Sequence, residues 1–354
     1  MNLAQVNKMW ISYKKKMQLD SEILFEGLLF DAQAGVEASV DLMEMLEGHF
    51  ILHVTRKIHL YRGDYIHFLL MHEFTHVADF LNYPFARPDI QTLKEREERE
   101  NNINTASRRE ILSKYGQITF PKSTGRIADD DIGKKLFDYM NTYSEFHSCR
   151  VALGDLIGDL TGGTVIDADK NQIPRPYRDI SIRAMLGDVL RHAYAAYSRF
   201  KVMLLPRVFV IYFRQVLYLF GYVSFFGNAK DMLDQSFKVL GVSDKKEDYF
   251  AVYDALIDKR YDDILFYTNK IYSDAYVSFV KSYVREHYDP ELYTEEELDR
   301  ITPENYHDFI ELITNRKGGR LWSGRVSPVF GVNDVNKAYR AVDPEEIRRR
   351  MGMK

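Results

Sequence analysis

Apolar residues in the first forty-five positions recur at helical spacing, as Ile23, Leu24, Leu28 and Leu29 and then Val36, Val40, Leu42 and Leu46. They predict two helices broken near Ala32 to Gly35. From His49 to Tyr61 the texture changes to a run rich in β-branched and aromatic residues, FILHVTRKIHLY, whose partial alternation predicts one or two strands. Gly63 and Asp64 then punctuate the chain. Asp64 is placed to cap a helix through YIHFLLMHEFTHVADFLNY, and Pro84 and Pro88 end it, because proline removes a donor and restricts the residue before it.

The next stretch, IQTLKEREERENNINTASRREILSKYG, is so dense in charge that it predicts a solvated helical pair or a surface insertion. An amphipathic helix carrying Glu145 is expected from Asp130 to Gly158, closed by the TGGT loop and by Pro174 and Pro176. Beyond Asp179 the pattern is helical almost to Lys317, with Thr294 and Thr302-Pro303-Glu304 as two helix starts. Gly318 and Gly319 close that region, and the remaining tail mixes glycine, proline and single aromatics before a short helix opened by Asp343-Pro344-Glu345. Such a tail suits docking on a protein partner or on its own body. The fold class that follows is mainly α with a small β-sheet: residues 1–160 form the α+β catalytic part, 161–317 a helical domain and 318–354 an extended tail.

One segment tests the soluble reading. Val208 to Phe226 is apolar and about as long as a membrane span, yet Arg214 and Gln215 sit near its middle. A charge there is costly in lipid, so a buried core helix is favoured over insertion. The amino terminus lacks the continuous apolar stretch of a secretory signal, which makes cytoplasmic synthesis the expectation. A chain of 354 residues with 45% hydrophobic content can fill a core without staples, and the single cysteine, Cys149, excludes an intramolecular disulfide framework. The formal charge of -4 favours no nucleic acid, and the run Arg348 to Arg350 is too short to argue otherwise. Neither a Walker loop nor a dinucleotide fingerprint occurs, and Cys149, inside an apolar helix, is a poor nucleophile.

The chemistry is carried by His72-Glu73-Phe74-Thr75-His76, an H-E-x-x-H pattern. Residues four apart lie one turn above each other on a helix, so both imidazoles can reach one tetrahedral ion, with zinc the expected metal. Glu73, beside the first imidazole, is placed to act as general base: it accepts a proton from the attacking water and returns it to the leaving nitrogen.

On these residues the sequence resembles the zincin metallopeptidases. The glycine and third histidine of the metzincin branch do not follow in HEFTHVADFLNYPF, so the resemblance is to the gluzincins. That resemblance implies a zincin-like core over roughly residues 47 to 155 and a third metal ligand from a glutamate on a later helix. Glu145 fits best, flanked by Tyr139, Met140, Phe146 and Leu153 and alone among glutamates between Glu110 and Glu247, with Asp138, Asp155 and Asp159 as competitors. Asp79, three residues after His76, is placed to accept the second N–H of a ligand imidazole, a pattern similar to lethal-factor-like domains. An oxyanion donor is expected among Tyr139, Tyr143 and His147; spacing does not choose between them, and Tyr143 is carried forward as the candidate.

Two functions follow. The first is a zinc-dependent metallohydrolase, a peptidase acting on protein or peptide substrates. The second is a structural or interaction subunit of a larger assembly that retains the module with little turnover. The intact base Glu73 favours the first, because a module kept only for shape has no use for it.

Overall fold

The protein is described by a computed structural model covering residues 2–19, 23–32, 37–61, 63–87, 132–157, 182–203 and 206–302, with positions 305, 309, 312, 313 and 316 beyond. The charged stretch after Pro88, the TGGT loop, the Pro174 and Pro176 pair, the second helix start at Pro303 and the tail 318–354 lie outside these residues. The architecture is mainly α with one small sheet.

Helix α1 (Leu3–Lys16) opens on a capping box in which Asn2 accepts from the Gln5 backbone and the Gln5 side chain accepts from the Asn2 backbone. Strands β1 (Leu24–Leu29), β2 (Ala38–Ser39) and β3 (His49–Val54) make a sheet of order β1-β3-β2, with β1 parallel and β2 antiparallel to the central β3. The first predicted helix is therefore wrong over Ile23 to Leu29. Its apolar spacing suits either period, and pairing with β3, through a register shift between Phe25 and Gly27, decides for the strand. The second predicted helix survives only as the short α2 (Leu42–Leu46), capped by Asp41. β3 alternates as expected, with Phe50, Leu52 and Val54 fully buried, but a 3₁₀ turn over Arg56–Leu60 replaces the rest of the predicted strand.

Helix α3 (Gly63–Leu81) starts two residues earlier than predicted, which puts Asp64 inside the first turn, where its charge favours the helix dipole. It is sandwiched. Trp10 of α1 lies edge-on to Phe50 of β3 and tilted against Phe74 of α3, at 5.1 and 5.2 Å, so one indole ties three elements together. Tyr13 adds a buried hydrogen bond at 2.9 Å to Thr75, whose own hydroxyl donates to the Met71 carbonyl, so the phenol is the donor.

Against the opposite side of α3 runs one long helical stretch: α4 (Ile132–Tyr139), a π turn (Met140–Ser144) and α5 (Glu145–Ile157). Next come α6 (Ile182–Met203) and α7 (Pro206–Val223), then α8 (Ala229–Leu240), α9 (Lys246–Ile257), α10 (Tyr261–His287) and α11 (Glu295–Asp299), the last opened by the Thr294 capping box. The apolar run from Val208 is thus a core helix: Tyr212, Val216, Leu217 and Phe220 of α7 are buried in the bundle. Among the described residues no helix is long and apolar enough to cross a membrane. Gly221 lets α7 approach α5, since a Cβ there would stand 2.8 Å from the Cys149 Cβ and 2.9 Å from the Phe146 carbonyl oxygen.

A candidate metal centre between three helices

Residues of α3 divide by face. Phe74 and Thr75 turn to α1 and the sheet, whereas His72, His76 and Asp79 turn to the π turn, α5 and α7; these three and Glu73, which meets the Val40 backbone beside β2, are all buried. A buried stripe of this polarity needs partners. The π turn supplies Ser144, and α5 supplies Glu145, Ser148 and Cys149, all on one face of the continuous helix.

The two Nε2 atoms of His72 and His76 lie 3.1 Å apart, and Glu145 Oε2 is 3.7 Å from each. Nitrogen ligands about 2.0–2.1 Å from a tetrahedral ion stand roughly 3.3 Å from one another, so this triangle has the size of three corners of such a site. Among the described residues these three form the single grouping of metal-ligating side chains found. Glu145 Oε2 is buried and accepts no hydrogen bond. An orphaned carboxylate oxygen aimed at two imidazole nitrogens is costly unless a cation occupies the gap, and that is how the residues fit a divalent metal.

Hydrogen bonds behind the ligands set their tautomers. The Ser144 hydroxyl gives its hydrogen to Asp79 Oδ2 at 2.8 Å, so it accepts from His76 Nδ1–H, also at 2.8 Å. His76 Nε2 is left with its lone pair directed at the gap. The expected direct bond from Asp79 to an imidazole is therefore corrected: the carboxylate acts through Ser144. Its second oxygen takes His147 Nδ1 at 2.7 Å, which makes His147, one of the three oxyanion-donor candidates, a partner of Asp79. His72 Nδ1 faces Cys149 Sγ at 3.7 Å, and its Nε2 lies 3.3 Å from Ser148 Oγ, whose hydrogen goes to the Glu145 carbonyl.

Burial is the largest influence on every charge here. It pushes His76 down to about 4, with Glu145 opposing, so this imidazole is neutral at pH 7 as a ligand must be. At His72 burial also lowers, but Cys149, Glu145 and Glu73 outweigh it and hold the imidazole well above its ordinary value. Burial also pushes Glu73 up to about 7, helped by Glu145 and opposed by His72, Arg214 and a hydrogen bond from the Val40 backbone next to β2. A carboxyl poised there can exchange a proton near neutrality. For Glu145, burial would raise the carboxyl, but His72, His76 and the Arg214 guanidinium outweigh it and hold the group at about 2. Burial raises the Cys149 thiol, in keeping with an inert cysteine.

Two residues of α7 complete the centre. Arg214 Nε stands 2.9 Å from Glu145 Oε1, and its Nη2 donates to Asn141 Oδ1 at 3.0 Å. The charge that argued against a membrane helix is thus the counter-ion of the predicted third ligand. Tyr218 sets its ring edge-on to His72, with centroids 5.6 Å apart. Sequence reasoning missed its role, and one turn of spacing from Arg214 was the only signal. Tyr143, the candidate oxyanion donor, is placed elsewhere: it stacks on His147 at 5.3 Å and packs edge-on to Tyr261 on the Asp79 side of His76. Tyr139 joins the same aromatic group. Asp138 and Asp155, the described competitors of Glu145, do not reach the triangle; Asp155 binds Lys16 and His67 instead. Compared with protein-family models, with curated proteins and with solved structures, the chain gives no match.

Proposed function

We propose that the protein is a metal-dependent hydrolase of peptide bonds, with zinc held by His72, His76 and Glu145 and with Glu73 as general base. The single observation that carries this reading is the orphaned Glu145 Oε2, equidistant from two imidazole nitrogens in a buried site. Two imidazoles, one carboxylate and an open fourth position are a donor set used by catalytic zinc. When bound, such an ion supplies a Lewis acid that acidifies a water molecule and polarises a carbonyl.

The chain's own residues do the rest. Glu73 takes the proton of the attacking water at its carboxylate and hands it to the departing amine, a transfer that its raised affinity for protons suits. Arg214 keeps Glu145 ionised and occupies its Oε1, leaving Oε2 as the ligand atom. Tyr218, which burial keeps protonated and whose ring packs against that of His72, is our candidate in preference to Tyr143 for the hydroxyl that stabilises a developing oxyanion.

The test is metal analysis and peptide hydrolysis on purified wild type, Glu73→Gln and Glu145→Ala. Glu73→Gln is expected to keep its zinc and to lose hydrolysis by about 10²–10⁴-fold. Glu145→Ala is expected to lose both. Undiminished zinc in Glu145→Ala would remove that residue from the ligand set, and undiminished hydrolysis in Glu73→Gln would end the proposal. Stoichiometric zinc with no hydrolysis of any peptide by the wild type would favour the interaction-subunit reading.

A further inference from the structure

Arg214 is more exposed than any of the three side chains that would hold the metal. The side chains of His72, His76 and Glu145 are 9, 10 and 9% exposed, whereas that of Arg214 is 39% exposed while still holding Glu145. Its hydrogen-bonding capacity is only partly used. Nε faces Glu145 Oε1 and Nη2 gives one hydrogen to Asn141, which leaves both hydrogens of Nη1 and the second hydrogen of Nη2 with no acceptor among the described residues, so that one N–H from each Nη is available to a ligand. The guanidinium is therefore divided, with a buried edge spent on a ligand and an open edge turned to solvent.

We infer that this open edge binds a carboxylate of the substrate, so that the protein acts on peptides bearing a free carboxylate within one or two residues of the bond that is cut. The inference rests on the reading of the centre as a peptide-hydrolysing metal site. A planar fork with two parallel N–H groups matches a carboxylate in a way a lysine would not. Distance supports it: one carboxylate, that of Glu145, spans from the guanidinium to the imidazole pair, and Arg214 lies one helical turn from Tyr218, which packs on His72. A peptide advances about 3.3–3.6 Å per residue, so a group at Arg214 and a carbonyl at the centre belong to neighbouring residues. Charge agrees. A divalent ion together with Glu73, Glu145 and Arg214 would carry one net positive charge at the exposed side, with the Asp79 carboxylate set behind Ser144. One turn further out on α7, Val210 and Ile211 are 44 and 52% exposed and offer apolar contact for a side chain of the same substrate.

The experiment uses the full chain, zinc-loaded, in the Glu73→Gln background so that binding is read without turnover. Three N-acetylated alanine peptides are titrated by calorimetry: one with a free carboxyl terminus, the same peptide amidated, and an amidated peptide with one internal glutamate. At least tenfold tighter binding of either acid over the plain amide is expected, and which acid is favoured identifies a chain end or an acidic side chain as the group read. Adding Arg214→Gln is expected to bring acid and amide within about twofold, with Arg214→Lys between. A role of Arg214 confined to supporting Glu145 would weaken all three peptides alike and leave their ratio intact, which would overturn the inference. Equal binding of acid and amide by the Glu73→Gln protein, where Arg214 is untouched, would overturn it too and needs no Arg214 variant to fold. Absence of zinc, or full hydrolysis by Glu73→Gln, would instead fell the metal-site reading itself.

Discussion

A hydroxyl has one hydrogen to give, and at Ser144 that hydrogen is already committed to Asp79. His76 must then donate from Nδ1 and keep Nε2 bare, so a single serine decides which nitrogen of a buried histidine can bind a metal. Outer partners of this kind typically govern metal affinity by 10–100-fold. Ser144→Ala is expected to weaken zinc binding by about that factor in a competitive chelator titration while leaving the fold intact; unchanged affinity would show that burial alone fixes the tautomer. At this scale the sequence was legible where spacing encodes a face, as at His72 and His76; Glu145, which lies with them, was expected only through the resemblance to gluzincins. Ser144, Ser148 and Tyr218 were not, because serines and tyrosines are too common for one position to stand out until a neighbouring helix gives it a partner. Arg214 was visible only as an anomaly, a charge in an apolar run, and its partner 69 positions earlier could not be read from that run.

Among the elements, the π turn deserves its place beside the centre. Widening the helix over Met140–Ser144 strips carbonyls of their usual partners, and side chains fill in: Asn141 donates to Phe137 O and Thr142 to Asp138 O. Asn141 then uses its oxygen to hold Arg214. The contact of α5 with α7 depends on Gly221. Replacing a helical glycine by alanine ordinarily gains about 1 kcal/mol of propensity. Here the new methyl meets a backbone oxygen and a buried Cβ, and overpacking costs about 1–3 kcal/mol. Gly221→Ala is therefore expected to lower the unfolding midpoint and, by pushing Arg214 and Tyr218 away from α5, to weaken zinc binding; a rise in stability would mean the helices part without penalty. Helices were the readable elements, since α3, α5 and α7 bury long periodic faces. β1 was not, because a six-residue strand is defined by its neighbour β3 more than by its own spacing.

At the scale of the whole molecule, the amino-terminal helix is fastened to α3 and α5 by one buried carboxylate. Asp155 of α5 accepts from Lys16 at the end of α1 and binds His67 of α3 at 2.5 Å. Burial would raise Asp155, but these two partners lower it below the usual carboxylate value. A group whose folded pKa is depressed stabilises the fold above its unfolded value, near 3.9, and the contribution fades as pH falls through the folded value. Asp155→Asn is expected to cost about 2 kcal/mol at neutral pH, read from denaturant midpoints, with Lys16 half exposed and therefore adding little. The gap to wild type is expected to close below about pH 4. A gap that stays constant down to pH 3 would show that the lost contact is packing and not charge.

The order in which these parts leave a ribosome has its own consequence. Both imidazoles emerge with α3, but their carboxylate waits for α5 and the guanidinium for α7. At about 5–20 residues per second that delay is on the order of ten seconds. During it the unfinished chain displays a paired-histidine turn without its counter-charges, and the apolar flank of α3 without its cover. Assembly of the centre is therefore a late, long-range event, and slowed translation between residues 76 and 214 is when this polypeptide has most need of a chaperone.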